Sequence, residues 1–180
     1  MKRRDKSVDS GWLFITGATH HRLPLFSRRE FCEIFLENLG FYREKYGFDV
    51  LGYALLPDHY HLLLVVPEQV PLSDLLRDFK SQVGRRIVDV LKQKGQTRLL
   101  ERLAAGRVRR RKDARFRVLQ ADNYIKRIFS QKLFRQKLAY IHANPVREGL
   151  AKNVLDYPYS SAKWYAEPAQ ERTQWQGPLG

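Results

Sequence analysis

The chain has 180 residues, 43% of them hydrophobic, and a formal net charge of +14. That hydrophobic share is enough for a core and excludes wholesale disorder, and no apolar run reaches the length of a bilayer span. The charge points to a polyanionic partner, nucleic acid first and an anionic membrane surface second. Cys32 is the only cysteine, which excludes an internal disulfide and a thiolate metal cluster. It reads as a small buried residue of a helix. Residues 1–10 are charged and lack the apolar core of a secretory signal. The expectation is a cytoplasmic protein that handles nucleic acid, with no membrane partner.

Trp12 to Thr19 is apolar and β-branched at several positions and reads as a strand. A loop containing Pro24 follows. Ser27 is the expected cap of a helix reaching about Tyr46, with Phe31, Ile34, Phe35, Leu39 and Tyr42 at helical spacing and Gly47 as its stop. Asp49–Leu56 and His59–Val66 read as an antiparallel hairpin around Pro57-Asp58. Ser73 is the expected cap of a second helix to about Lys92, with Leu75, Leu76, Phe79, Val83, Ile87 and Leu91 near one stripe.

Residues 92–117 break the pattern. They hold eleven Lys or Arg against two acids, nine of the chain's net positive charges, and a short helix at 97–105 fits inside them. Phe116–Gln120 reads as a fourth strand, 123–130 as a helical turn, and Gln131–Asn144 as a full helix that Pro145 ends. From Tyr157 onward the expectation is a loosely packed tail. The order strand, helix, strand, strand, helix, strand is that of an α+β, ferredoxin-like split βαβ fold with an antiparallel sheet, here with an extra C-terminal helix. One domain is expected over 1–165, carrying a basic insertion at 92–117, with a flexible tail at 166–180.

His59 and His61 stand two apart on a strand, so both imidazoles share one sheet face. Neutral imidazole is a common metal ligand. The competing reading is two unrelated histidines beside a turn. The flanking Gly52–Leu56 and Leu62–Val66 are nearly all apolar, and two polar rings in such a strand need partners. That favours the ligand reading. Tyr140 and Asn144 are four apart and share a helix face. They fit a nucleophile and an amide ligand, but with nine tyrosines in the chain composition and spacing alone favour a core aromatic and a helix-end residue. The basic residues Arg107, Arg109, Arg110, Arg111, Lys112, Arg115, Arg117, Lys126 and Arg127 form the candidate DNA-phosphate surface. Lys132, Arg135 and Lys137 extend it, and Phe116, Tyr124 and Phe129 lie among the charges where bases would stack.

The string from Gly52 to Leu63, with His59-Tyr60-His61 inside it, resembles the His-hydrophobe-His segment of the HUH single-strand endonucleases, in particular the IS200-type tyrosine transposases. The string from Leu138 to Leu150, holding Tyr140, Asn144 and Pro145, resembles the tyrosine-helix segment of the REP-associated tyrosine transposases. Tyr157-Pro158-Tyr159-Ser160-Ser161 resembles the stretch that follows in that branch. The resemblance implies that His59 and His61 bind Mg²⁺ or Mn²⁺, that Asn144 is a third ligand and that Tyr140 is the single nucleophile. It implies cutting and rejoining of single-stranded or hairpin DNA at palindromic repeats through a 5′-phosphotyrosine link, by a monomer or a homodimer. The rival from another class is a non-catalytic module that holds hairpin DNA or RNA.

Overall fold

The computed structural model describes residues 10–104 and 116–167. Arg107, Arg109, Arg110, Arg111, Lys112 and Arg115 of the basic insertion lie outside the described residues, as does the chain from 168 onward. The described elements are β1 (Gly11–Ala18), α1 (Arg29–Tyr46), β2 (Asp49–Leu56), β3 (His59–Val66), α2 (Leu72–Gln93), α3 (Thr97–Ala104), β4 (Tyr124–Arg127), α4 (Gln131–Arg147) and α5 (Ala162–Ala166). Short 3₁₀ turns at His20–Arg22 and Leu25–Ser27 join β1 to α1.

The four strands form one sheet in the order β2-β3-β1-β4, with every neighbouring pair antiparallel. That is the ferredoxin-like split βαβ arrangement expected from the element order. Period two divides the sheet into two faces. Leu13, Ile15, Tyr60, Leu62 and Leu64 point to one face and join the apolar sides of α1 and α2 in the larger core. Phe14, Ala54, Leu56 and Leu63 point to the other, where they meet Ile141 of α4. Both helices of the split βαβ thus cover one side, and among the described residues α4 lies across the other.

Several boundaries differ from the expectation. Ser27 belongs to a 3₁₀ turn, and the residue at the α1 N-cap is Arg28, whose side chain makes no capping bond. The start of α2 is Leu72, with Pro71 before it, so Ser73 lies within the first turn. Phe116–Gln120 is not the fourth strand. It touches β1 only at its end, through an isolated bridge between Thr19 and Leu119, while Val118 and Leu119 sink into the core. The edge strand is instead β4, where a helical turn was expected. Tyr124 to Arg127 pair with Leu13 to Thr16, because the outer backbone groups of β1 need partners that a helical turn would not supply. Ser130 then caps α4, its hydroxyl accepting from the Leu133 N–H at 3.2 Å.

Pro145 does not end α4, which runs on to Arg147. A proline removes one backbone donor and crowds the carbonyl four residues back, yet here less than one further turn follows it. Gly149, at φ 71°, takes the left-handed position that closes the helix. Within the expected tail, the described residues 157–167 are not loosely packed. Tyr157 donates its hydroxyl to Leu55 O at 2.8 Å, and Tyr159 O accepts from Leu55 N at 2.9 Å. Ser160 bridges to Ala54, and Ser161 N donates to Tyr53 O at 3.0 Å. These residues clothe the outer edge of β2.

One close approach fixes β1 over β3. Gly17 stands opposite Tyr60, whose fully buried ring reaches Asn123 Oδ1 with its hydroxyl at 3.2 Å. A Cβ on Gly17 would collide with that hydroxyl and lie 2.6 Å from Asn123 Oδ1. The ring has no room to retreat, so Gly17→Ala should destabilise the fold by about 1–3 kcal/mol, seen as a lower urea midpoint with an unchanged slope.

Candidate active site

The pairing of β3 with its neighbours puts His61 opposite Thr16 and Ala54, and His59 opposite Ala18 and Leu56. Both imidazoles therefore stand on the α4 side of the sheet, and Tyr60 between them points into the α1–α2 core. The rings are nearly perpendicular, with centroids 5.0 Å apart. Each has its Nδ1 engaged. Asp58 Oδ1 accepts from His59 Nδ1 at 2.7 Å, and a 2.8 Å hydrogen bond joins His61 Nδ1 to Thr16 Oγ1. Asp58 is itself held by Arg22 at 2.8 Å. Second partners of this kind fix ring orientation and leave Nε2 for another role.

α4 crosses both rings. Tyr140 meets His61 edge to face, with ring centroids 5.4 Å apart. Two turns later the Glu148 carboxylate lies 3.5 Å from His59 Nε2. Asn144 is one turn from each, so its amide falls at the level between the two imidazoles. It is 5% exposed. His61 Nε2 and Asn144 Nδ2 are both buried with no hydrogen-bond partner among the described residues, and half a turn of the amide presents Oδ1 in the same place. Buried orphans of this kind call for an unseen partner. Burial first, then His59, Lys137 and Arg22, push the His61 pKa down to about 3. The ring is therefore neutral near pH 7, as a ligand must be.

Two imidazole nitrogens and an amide oxygen, with a carboxylate at hand, suit a divalent cation that takes nitrogen and oxygen donors. Among the described residues no three His, Cys, Asp or Glu side chains form a metal cluster by themselves. The Asn144 amide offers a candidate donor outside those residue types.

Two cations flank Tyr140. Lys137 Nζ is 5.3 Å from its ring centre and 4.5 Å from that of Phe14, and Arg147 Cζ is 5.5 Å from the Tyr140 ring. Burial, followed by the nearby Lys126, lowers the Lys137 pKa. Lys137, Tyr140, Asn144 and Arg147 follow a 3-4-3 spacing, a single stripe of a helix. That spacing was available in the sequence, although Arg147 was passed over and Lys137 was grouped with the general basic surface. Asp58, Glu148 and Thr16 were also missed. Their roles depend on register and on the path of α4, which no local pattern encodes.

The described members of the candidate DNA surface, Arg117, Lys126 and Arg127, divide between this site and other parts of the fold. Arg127 lies at the outer strand, near Gly11 at the far end of β1. Lys126 is on β4, close enough to Lys137 to act on its charge. Arg117 lines a groove beside α2, on the opposite side of the sheet.

A profile of the family described as "Transposase IS200 like" matches residues 13–102, half of the chain, including the hairpin with both histidines. The chain belongs to the IS200-like transposase family. A Haemophilus influenzae protein named as a REP-associated tyrosine transposase is 29% identical over 119 residues, which are 66% of this chain and 61% of that protein. The chain thus spans about three fifths of that curated relative. Among solved structures, a REP-associated tyrosine transposase bound to a REP hairpin superposes with a TM-score of 0.65 at 21% identity, over 91% of this chain and 83% of that one. A Deinococcus radiodurans R1 protein described as a transposase gives 0.50 at 18% identity, over 78% and 95% of the two chains. These likenesses establish the fold of the family.

On the far side of α4, His142 Nε2 bonds Ser161 Oγ at 2.8 Å, and burial pushes the His142 pKa down to about 4. Unfolded, an imidazole titrates at 6.5. Below pH 6.5 the unfolded chain binds protons that folded His142 and His61 refuse. Their stability contribution is complete above pH 6.5 and is lost as pH falls toward about 4 and about 3 respectively. The metal-free protein should therefore lose stability across that window. His142→Gln should lose less between pH 7 and pH 4.5 than the wild type in matched urea titrations.

Proposed function

We propose that this protein cuts and rejoins single-stranded DNA next to a hairpin, with Tyr140 as nucleophile. The observation that carries the reading is Tyr140 lying against His61, with Asn144 and the two imidazoles on one side of the same helix–sheet interface. Membership of the IS200-like family supports it, as does the fold shared with a relative bound to a REP hairpin. His59, His61 and Asn144 would hold Mg²⁺ or Mn²⁺. Such an ion, when bound, withdraws charge from a non-bridging phosphate oxygen and aligns the phosphorus for in-line attack.

The chain's own residues account for the rest. The Tyr140 oxygen forms a bond to phosphorus as it loses its proton. The bond from phosphorus to the 3′-oxygen breaks, and that oxygen takes up a proton. The product is a 5′-phosphotyrosine and a free 3′-hydroxyl, which return to an intact strand by the reverse steps with no external energy source. Lys137 and Arg147 offset the negative charge that gathers around the phenolic oxygen and the phosphate. Asp58 and Thr16 keep both imidazoles in one orientation. Tyr140 meets His61 within one chain, which supports a reaction carried out by the tyrosine and histidines of the same subunit.

Tyr140→Phe should bind a tailed hairpin oligonucleotide like the wild type and form no covalent adduct on a denaturing gel. Normal adduct yield from that variant would remove Tyr140 from its role. Wild-type protein that binds the hairpin and never yields an adduct would favour the non-catalytic reading. Chelator should abolish the adduct and leave hairpin binding largely intact, and addition of Mg²⁺ or Mn²⁺ should restore the adduct. Adduct formation undiminished by chelator would detach His59, His61 and Asn144 from metal binding.

A further inference from the structure

A turn beside the active site carries a second group of phosphate-binding chemistry. His20 and His21 follow the end of β1, where Thr19 N donates to Asp58 O at 2.9 Å. Their rings are 3.9 Å apart. With Arg117, Gln120, Ala121 and Asp122 they line a cavity of about 290 Å³. His20 is 7% exposed, and its buried Nε2 has no hydrogen-bond partner among the described residues. The described lining sets two imidazoles and a guanidinium beside the Asp122 carboxylate.

The backbone is strained at the same place. His21 at φ 52° and Arg22 at φ 54° are consecutive non-glycine residues in the left-handed region, a conformation that persists only where its surroundings enforce it. The enforcement is visible. His20 N donates to Val118 O at 2.7 Å, Arg22 N donates to Thr19 O at 3.1 Å, and the Arg22 side chain pairs with Asp58. The turn that aims His20 and His21 is therefore braced by the same carboxylate that orients His59.

The cavity is continuous with the larger groove along α2. Arg117, Gln120 and Ala121 line both. Among the described residues that groove, about 640 Å³, also carries Arg77, Lys80, Arg85 and Lys92 with the acid Asp89, and Arg77 pairs with Asp74 and Asp78 beside it. Basic groups thus run from the α2 side of the sheet, past Arg117 and the two histidines, to Arg22 and the His59 site on the other side.

The geometry points to a backbone-phosphate site formed by His20, His21 and Arg117, which holds the single strand running between the α2 groove and the Tyr140 site. This rests on the DNA-cleaving reading above and adds to it a contact to a phosphate other than the one cut. An anion supplies what the site lacks: an acceptor for an imidazole N–H and a negative charge among positive groups. Burial, then His21 and Arg117, lower the His20 pKa, so the ring waits neutral and donates from one nitrogen.

The test is equilibrium binding of hairpin DNA with a single-stranded tail, with each tail phosphate replaced in turn by a neutral methylphosphonate. In the wild type one position should cost about tenfold in affinity, the loss of one charge-assisted contact. Arg117→Gln should bind the unmodified tail about tenfold more weakly and lose nothing further at that position. His21→Gln should show a smaller loss with the same coupling, and should bind a tail-less hairpin like the wild type. His20 is buried, so the exposed His21 and half-buried Arg117 carry the test. Losses from variant and methylphosphonate that multiply at every position would overturn the site, as would a wild type that binds no tailed hairpin. An adduct at Tyr140 without coupling would leave the cleavage reading standing and remove this one. Coupling without an adduct would do the reverse.

Discussion

The site depends on α4 lying across the face of the sheet that α1 and α2 leave uncovered. Ile141, wholly buried against Phe14, Ala54, Leu56 and Leu63, anchors it, and burial of such a side chain is worth about 1.5–3 kcal/mol. Once that stripe is fixed, helical geometry leaves no choice for its neighbours. Tyr140 meets His61, Glu148 meets His59, and Asn144 falls between them. A helix rotated by one residue would turn the tyrosine away from the imidazoles. Apolar packing thus sets the positions of polar groups that have little else to hold them in place.

The electrostatic design follows from that enclosure. His61 is kept neutral mainly by burial and secondarily by the positive groups around it. Lys137 is common to both rings: its charge disfavours the His61 imidazolium, and its ammonium stands over the Tyr140 ring. Asp58 works in the opposite sense, as an acceptor that orients His59 while Arg22 offsets its charge.

Strong periodicity made the central architecture legible. The hairpin of β2 and β3 showed itself through Pro57-Asp58 and two apolar runs, and the shared face of His59 and His61 through their spacing. α1 and α2 were visible in their stripes. β4 was not, because Tyr124-Ile125-Lys126-Arg127 is four residues of a half-exposed edge with no alternation to read. Phe116–Gln120 looked more like a strand because it is apolar, and it is apolar because it fills the core beneath α2. Pro145 misled in the other direction, since the helix carries it and runs two residues further before Gly149 closes it. Within the site, the tyrosine was the least legible part. Nine tyrosines offered themselves, and residue spacing left Tyr140 as either core aromatic or nucleophile; the family resemblance chose it. The fold then placed it beside His61, a fact of long-range packing that no local pattern contains.

The bonds from Tyr157, Tyr159, Ser160 and Ser161 to Tyr53, Ala54 and Leu55 have a consequence beyond the active site. Without them β2 would present a row of unpaired amides and carbonyls beside an apolar strand, an invitation to pair with another molecule. The segment occupies that row from within the same chain. Protection from aggregation and placement of α4 are thereby joined, since Ser161 also bonds His142 on the helix. A chain that ended before Tyr157 would expose a sticky edge and loosen its tyrosine helix in the same stroke.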